Sequence, residues 1–224
     1  MITLLTGLLP ILQATDDAVL LKVNSLHNTY FDSVMWLISG KIIWIPMYLS
    51  LLFVLLKNYS YSQVLKFLLA MGIVFFFTDY FSSQVIRPFV CRLRPSNLDN
   101  PISYMVHIVD GYRGGAYGFP SNHSSNTWGL VFFMTFLLRR FYLTCFLTLW
   151  ALVVCYSRMY LGVHYLGDLL MGCLLAFVAV LAVFYFLKVK QERQLEAKKY
   201  LYVPVYVGSF TFLFIMVFSS FYTI

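Results

Sequence analysis

The sequence predicts an all-α membrane protein, a polytopic bundle of about six transmembrane helices with its active site at the outer face. Of the 224 residues, 61% are hydrophobic and only 11% are charged, whereas soluble domains are about half apolar and about a quarter charged. Backbone amides in hydrocarbon must be bonded within their own element, and this requirement favours helices for long apolar runs. We therefore expect a single integral-membrane domain covering residues 1–224.

Six apolar stretches reach or approach the roughly 20 residues that span a bilayer. They are 34–56, 65–86, 124–138, 141–161, 165–187 and 201–222. The first stretch contains Lys41 and Pro46, and the third is short unless it begins in the polar run before it. We expect a helix in each stretch, with boundaries uncertain by several residues.

The N-terminal segment differs from these stretches. "MITLLTGLLPILQATDDAVLLKVN" has an apolar start, but it lacks a positively charged beginning and is interrupted by Pro10 and by Asp16-Asp17. We expect residues 1–30 to form an interfacial segment lying on the membrane. A signal peptide and an additional span are the alternatives.

Basic residues are concentrated in three connectors, which lie on one side of the membrane if there are six spans. These residues are Lys57, Lys66, Arg139, Arg140, Lys188, Lys190, Arg193, Lys198 and Lys199. With two acidic residues, these connectors account for the whole net charge of +7. Because short basic loops stay in the cytoplasm, the loops at 87–123 and 157–164 are predicted to face outward. The same distribution argues against a nucleic-acid partner.

The first polar cluster on the outward side is "RPFVCRLRP", which begins at Arg87. Arginines at a membrane edge can extend their side chains to lipid head groups. However, this is the wrong side for a positive-inside anchor, so an anionic partner is indicated. The second cluster, "PSNHSSN", places Ser121, Asn122 and His123 where a helix is predicted to start. Serine and asparagine cap helices, but a helix start also attracts anions, and histidine can move a proton near neutral pH.

The third cluster is "SRMYLGVHYLGD", from Ser157 to Asp168. His164 and Asp168 are four residues apart, so on a helix they would share one face. A carboxylate that bonds one imidazole nitrogen fixes the tautomer and makes the other nitrogen a better nucleophile. A buried His-Asp pair can also be purely structural, but Arg158 nearby favours a phosphate site.

Together the clusters resemble the signature of the type 2 phosphatidic acid phosphatase superfamily, which also includes bacterial acid phosphatases and vanadium haloperoxidases. That signature is Lys, six residues, Arg-Pro; then Pro-Ser-Gly-His; then Ser-Arg, five residues, His, three residues, Asp. The matching residues are Arg87, Arg94 and Pro95, then Pro120, Ser121, Asn122 and His123, then Ser157, Arg158, His164 and Asp168.

Two positions depart from the family pattern. Arg87 stands where the family has lysine, which keeps the charge but replaces a point donor by a planar fork. Asn122 stands where the family has glycine; it keeps the backbone N–H but adds a side chain that narrows the site or supplies a contact.

The resemblance implies phosphoryl transfer without a metal or a cofactor, through a phosphohistidine. In this reading His164 attacks phosphorus, Asp168 orients it, and His123 protonates the leaving oxygen and then activates water. The implied phosphate ligands are Arg87, Arg94, Ser121, Asn122 and Arg158. This division fits phosphoryl transfer, which depends mainly on positioning and on cations around the equatorial oxygens.

The many apolar stretches indicate that the substrate is a phosphorylated membrane lipid. The resemblance implies undecaprenyl pyrophosphate or a lipid A phosphate of the bacterial envelope, with phosphatidylglycerol phosphate or phosphatidic acid as alternatives. The expected location is the bacterial inner membrane, with the site facing the periplasm or exterior. Rival interpretations are a transporter or flippase-like protein and a catalytically silent scaffold. The oligomeric state is not predicted.

Two other polar features lie outside the motifs. Asp79, late in the second stretch, is expected either to lie near the outer interface or to pair with a site arginine, since carboxylates inside a membrane are costly. The loop with His107, Asp110, Arg113 and "GYRGGAYG" is expected to be solvated rather than to gate the substrate.

Overall fold

The computed structural model describes residues 2–189 and 199–222, with side chains from residue 10 onward. Within these residues there are eight helices of 11 residues or more and one isolated β-bridge, between Leu93 and Tyr117. The helices are α1 (Ile2–Asn24), α2 (Thr29–Ser39), α3 (Ile45–Asn58), α4 (Tyr61–Val90), α5 (Asn122–Leu138), α6 (Phe141–Tyr160), α7 (Leu166–Phe186) and α8 (Val203–Phe218). The predicted all-α class is confirmed. Lys190, Arg193 and Lys198 of the third basic connector lie outside the described residues.

Three of the described helices, α4, α6 and α7, are long and apolar enough to cross a membrane, and a fourth span results if α2 and α3 are counted together. Helices α5 and α8 are apolar but have only 17 and 16 residues. A helix is present in each predicted stretch, and the membrane helical bundle is confirmed. Six crossings remain a prediction.

The first predicted span, 34–56, is not one helix. It is divided between α2 and α3, which meet at an angle of 68°. Gly40 ends α2 in an extended conformation, and its N–H bonds the carbonyl of Leu37. Pro46 lies in the first turn of α3, where its missing N–H costs no hydrogen bond. The break therefore follows from a helix stop and a helix start that are only six residues apart.

Helix α1 is continuous through Pro10 and Asp16-Asp17, so the expected interruption there is wrong. The acidic residues are tolerated because Asp16 and Asp17 have polar partners, which include Arg92 and Gln13. The helix packs against α6 and α7. Its predicted location at the membrane interface stays a prediction.

Helix α4 extends beyond its predicted end and determines where the first polar cluster lies. The chain makes a π-helical turn over Phe81–Ile86 and remains helical to Val90, so the outward loop begins at residue 91 rather than 87. Cys91 ends the helix in a left-handed conformation, with φ of 50°. Arg87 is consequently held on a helix and not on a loop.

Helix α5 is the centre of the bundle and contacts α4, α6 and α7. It packs most extensively against α7. Gly172 allows this close approach because it has no side chain: an added Cβ would lie 2.6 Å from the carbonyl oxygen of Ser121. The end of α4, the start of α5, the end of α6 and the start of α7 meet at one end of the bundle, as the bonds from Arg87 to Asn122, from Arg94 to Val163 and from Ser121 to Asp168 show. All three polar clusters are at this end. Arg139 and Arg140, between α5 and α6, lie at the other.

Candidate active site

His164 and Asp168 form a buried pair at the start of α7. Their side chains are 1% and 0% exposed, and His164 Nδ1 lies 3.3 Å from Asp168 Oδ2. Asp168 Oδ2 also accepts a hydrogen bond from the backbone N–H of Tyr165, at 3.0 Å. His164 precedes the helix, which begins at Leu166, so the expectation that the pair shares a helix face is wrong. The two side chains nevertheless meet, because Asp168 folds back over the first turn.

The hydrogen bonds of His164 assign its tautomer. Nδ1 must carry the proton in order to donate to Asp168, which leaves Nε2 with a lone pair. Arg94 Nη1 lies 2.9 Å from Nε2 and donates to it, and also donates to the carbonyl of Val163 at 2.9 Å. Nε2 is therefore the ring nitrogen whose lone pair is available, and it faces a guanidinium group.

Burial is the largest effect that lowers the pKa of His164 well below its usual value, and the positive charges of Arg94, Arg158 and Arg87 lower it further. The ring is thus neutral and nucleophilic near pH 7. Burial, together with Arg87 and Arg158, also lowers the pKa of Arg94 to about 10. Arg94 remains a cation at neutral pH.

The three arginines of the signature converge on His164 from different elements. Arg87 comes from the end of α4, Arg94 from the following loop and Arg158 from the last turn of α6. Arg158 is buried and donates to Ser39 Oγ. In each arginine, Nε is buried and has no hydrogen-bond partner among the described residues. Buried donors are nearly always paired, so these three N–H groups suit the oxygens of an anion.

Ser121 and Asn122 begin α5. Ser121 Oγ accepts from the N–H of Ser124, at 3.4 Å, which is the helix cap expected from the sequence. Arg87 Nη2 donates to Asn122 Oδ1 at 2.7 Å and to the carbonyl of Pro120 at 2.9 Å. The two residues that depart from the family pattern therefore contact each other.

His123, the second residue of α5, interacts electrostatically with His164 and Arg158 and also lines a cavity of about 470 Å³. Helices α2 to α6 surround this cavity. Its polar lining residues include Lys41, Asp79 and Asn126, and its apolar lining continues deep along α3, α4 and α5. His123 thus lies between the arginine cluster and an apolar cavity.

The structure gives contacts to residues for which the sequence predicted no individual role, including Arg92 of the first polar cluster. Arg92 Nη1 donates to Asp168 Oδ1 at 3.0 Å, and Arg92 Nη2 donates to Asp16 Oδ2 at 2.7 Å. Gly118 packs against the pair, since a Cβ there would lie 2.9 Å from Asp168 Oδ2. Arg92 lies in the first polar cluster, but no spacing rule marks it, and Asp16 is remote in the chain.

Asp79 and the long loop make contacts that the sequence did not specify. Asp79 Oδ1 accepts from Asn126 Nδ2 at 3.2 Å, and its carboxylate also interacts electrostatically with Arg87. In the loop, His107 Nε2 lies 2.9 Å from Asp32 Oδ2, and its ring stacks on that of His27. The loop is therefore bonded to α2 and is not simply solvated.

The model of the PAP2 superfamily matches residues 63–192, more than half of the chain, and this region contains all three polar clusters. The chain belongs to the PAP2 superfamily. The resemblance read from the three motifs is thereby confirmed.

Two curated proteins are close relatives of this PAP2 family member. Lipid A 4'-phosphatase of Bacteroides thetaiotaomicron is 39% identical over 215 residues, covering 91% of this chain and 95% of that protein. Lipid A 4'-phosphatase of Porphyromonas gingivalis is 36% identical over 154 residues, covering 68% of this chain and 64% of that protein. The predicted enzyme class, a membrane lipid phosphatase, is confirmed, and the transporter interpretation is not supported.

A solved structure shows the same fold. The crystal structure of a transmembrane PAP2-type phosphatidylglycerolphosphate phosphatase from Bacillus subtilis superposes with a TM-score of 0.57 at 23% identity. The match covers 82% of this chain and 90% of that one. The roles of the individual site residues rest on the geometry described above and on the family pattern.

Proposed function

We propose that this PAP2 enzyme removes the 4'-phosphate of lipid A in the bacterial inner membrane, without a metal and through a phosphohistidine on His164. The choice of lipid A over undecaprenyl pyrophosphate is supported by the relatives named lipid A 4'-phosphatase, one of which aligns with 91% of the chain. The observation that carries the chemistry is the environment of His164. Arg94 Nη1 lies 2.9 Å from its Nε2, and the charges of Arg158 and Arg87 also act on the ring. Each of these arginines has a buried Nε–H with no partner among the described residues.

In the first step, the lone pair of His164 Nε2 attacks phosphorus, and the bond from phosphorus to the lipid oxygen breaks. His123 donates its proton to that departing oxygen, so the lipid leaves as an alcohol. The Nδ1–H bond to Asp168 stabilises the positive charge that the phosphorylated ring acquires. This mechanism requires that the nucleophile be neutral before attack, in agreement with the lowered pKa of His164.

In the second step, His123 takes a proton from water, and the resulting nucleophile attacks the phosphohistidine. The bond between nitrogen and phosphorus breaks, and inorganic phosphate leaves. Arg87, Arg94 and Arg158 bind the equatorial oxygens in both steps, with Ser121 and the N–H of Asn122 at the helix start. Preorganised donors of this kind are usually the largest contribution to such catalysis.

The cavity beside His123 supports a lipid as the substrate. Its volume of about 470 Å³ is within the range of sites for small organic ligands. On α5 the lining runs from His123 to Met134, a distance of roughly 16 Å along a helix. With the phosphate at the arginines, the apolar part of the same lipid would therefore lie close to an apolar cavity.

The positions of the basic residues indicate the side of the membrane that the proposed site faces. Lys57 lies in the last turn of α3 and Lys66 near the start of α4, and Arg139 and Arg140 lie between α5 and α6, all at the end opposite the polar clusters. Since basic connectors stay cytoplasmic, the proposed site faces the periplasm.

The test is phosphate release by purified enzyme from lipid A, undecaprenyl pyrophosphate, phosphatidylglycerol phosphate and phosphatidic acid, with mass spectrometry of the lipid A product. We expect lipid A to lose its 4'-phosphate fastest, with or without a chelator. His123→Ala should slow turnover by roughly 10²- to 10⁴-fold, and His164→Asn should abolish it. His27→Asn, outside the site, is the matched control. Faster phosphate release from another lipid would contradict the assignment of lipid A as the substrate. Loss of activity with chelator would contradict the metal-free mechanism.

A further inference from the structure

Arg92 contacts the catalytic pair from the side away from the nucleophilic nitrogen. Asp168 uses Oδ2 for His164 and uses Oδ1 for Arg92 Nη1, at 3.0 Å. The Asp168 side chain is 0% exposed, whereas that of Arg92 is 19% exposed. A fully buried carboxylate needs a charged or hydrogen-bonded partner to remain ionised. Arg92 supplies this partner without approaching the nucleophilic Nε2 of His164.

Helix α1 holds Arg92 in place. Arg92 Nη2 donates to Asp16 Oδ2 at 2.7 Å and to Gln13 Oε1 at 2.9 Å, and both acceptors lie on α1. The other oxygen of Asp16 accepts from the backbone N–H of Gly167 at 3.0 Å, in the first turn of α7. The guanidinium also lies 4.1 Å from the centre of the Tyr165 ring. These contacts fix both the guanidinium plane and the distance between α1 and the start of α7.

We infer that Arg92 is a positioning residue for phosphoryl transfer, that Asp16 holds it in place, and that helix α1 is thereby part of the active site. This inference rests on the proposed role of His164. Arg92 touches neither the phosphate nor the reacting nitrogen. It acts by keeping the Asp168 carboxylate ionised and aimed at Nδ1, so that Nε2 points at the arginine cluster.

Arg92 binds two carboxylates at once, and this explains why an arginine is required at position 92. The Nη1 and Nη2 groups point to Asp168 and Asp16 respectively, a fork that the single ammonium of lysine cannot reproduce. Asp16 also draws part of the positive charge away from Asp168. Asp168 can therefore still stabilise the positive ring of the phosphohistidine.

Arg92→Gln and Arg92→Lys test the role of the guanidinium in full-length enzyme. A misplacement of about 1 Å at a catalytic group costs about 10²-fold in rate, so we expect kcat on lipid A to fall by about that factor. We expect KM to stay within about twofold, because no contact with the substrate is lost. The rate at which phosphate appears on His164 in a single turnover should fall with kcat. A residue that only stabilised the fold would reduce the active fraction without slowing this step.

Two further variants disturb the link between Asp16 and Arg92 while keeping the arginine. Asp16→Asn keeps the shape but weakens a charge-assisted hydrogen bond, which should cost roughly tenfold in kcat. Gly167→Ala adds a Cβ that would lie 2.7 Å from Asp16 Oδ2 and 3.2 Å from Arg92 Nη1, so both side chains should move away from it. These variants carry the test if Arg92→Gln does not fold. Lys22→Gln, which removes an exposed charge from the same helix, is the matched control.

Combining the substitutions separates this inference from the proposed function. In an Asp168→Asn background, Arg92→Gln should have little further effect, because its partner has already been changed. Full kcat in Arg92→Gln and Asp16→Asn, with wild-type enzyme active on lipid A, would overturn the role of α1 alone. Failure of the wild-type enzyme to release phosphate from lipid A, or unchanged activity in His164→Asn, would overturn the proposed function itself.

Discussion

Arg87 and Asn122 form one hydrogen-bonded unit in the proposed phosphate site. The hydrogen bond from Arg87 Nη2 to Asn122 Oδ1, at 2.7 Å, fixes the orientation of the guanidinium. A glycine at 122 would remove this acceptor, and a lysine at 87 could not keep the bonds to both Asn122 and Pro120. The asparagine therefore has a function that depends on the arginine.

We predict strong coupling between Arg87→Lys and Asn122→Gly. Each single variant should reduce kcat/KM, and the double variant should be less impaired than the product of the two effects. The expected coupling energy is about 1.5 to 3 kcal/mol, as for a hydrogen bond to a charged group. The measurement is a double-mutant cycle on kcat/KM for lipid A. Additivity within about 0.5 kcal/mol would show that the side chains act independently.

His164 should make stability depend on pH. An unfolded histidine has a pKa of about 6.5, whereas burial and then Arg94, Arg158 and Arg87 hold the pKa of His164 well below this value in the folded protein. Between these values the unfolded state binds more protons, so the free energy of unfolding falls as pH drops below about 6.5. Above that pH the ring is neutral in both states and adds no dependence.

Thermal unfolding in detergent between about pH 8 and about pH 5 checks this sign. We expect the melting temperature of the wild-type protein to fall towards acidic pH, and His164→Asn to remove part of that fall. An unchanged slope in the variant would contradict the account of His164 as a buried neutral base.

At the level of elements, the close approach of α7 to α5 brings the nucleophile to the start of the helix that carries His123. Gly172 permits it, because a Cβ would lie 2.6 Å from the Ser121 carbonyl oxygen and 2.9 Å from Ser124 Cβ. Gly172→Ala should therefore separate the helices and lower both stability and activity. Overpacking of this kind typically costs about 1 to 3 kcal/mol.

Gly72→Ala on α4 is the matched control. No atom lies within 4 Å of an added Cβ there, and alanine is favoured over glycine in a helix by about 1 kcal/mol. The two variants are measured side by side. Gly172→Ala should lower both the melting temperature and kcat, whereas Gly72→Ala should raise them or leave them unchanged. Equal effects would show that the contact between α5 and α7 is not critical.

Some helices could be predicted from the sequence better than others, because their sequence signals differ in strength. Long apolar runs predicted α4, α6 and α7, because membrane burial imposes both composition and length. The apolar pattern does not predict the bend between α2 and α3, since Gly40 and Pro46 lie within an otherwise apolar stretch. It does not predict the extension of α4 to Val90 either, because the arginine at 87 ends the apolar run.

In the whole molecule, antiparallel helices bring three distant motifs to one end. Their residues could be predicted to meet, since spacing and family pattern both marked them. Arg92 and Asp16 could not be predicted, because their contact joins residues 76 positions apart and no periodicity links α1 to the site. The hydrogen bond between Arg87 and Asn122 was likewise invisible, although both residues had been singled out.

The polar clusters and the basic connectors lie at opposite ends of the bundle, and this arrangement predicts the orientation of the protein in the membrane. Cys91 is exposed, directly after α4 at the end that carries the site. A membrane-impermeant maleimide should label it in intact spheroplasts, and Cys91→Ser should abolish that labelling. Lys57→Cys lies at the opposite end, and in a Cys91→Ser, Cys145→Ser background, which removes both exposed cysteines, it should be labelled only after permeabilisation. The reverse pattern would place the site on the cytoplasmic face.

The central claim is that His164 carries the phosphate between lipid and water. The most direct measurement is mass spectrometry of the enzyme after rapid alkaline quenching during turnover of lipid A, with the phosphorylated residue located by fragmentation. We expect phosphate on His164 in the wild-type enzyme and none in His164→Asn. Turnover at the wild-type rate by His164→Asn, or phosphate on a different residue, would contradict the mechanism.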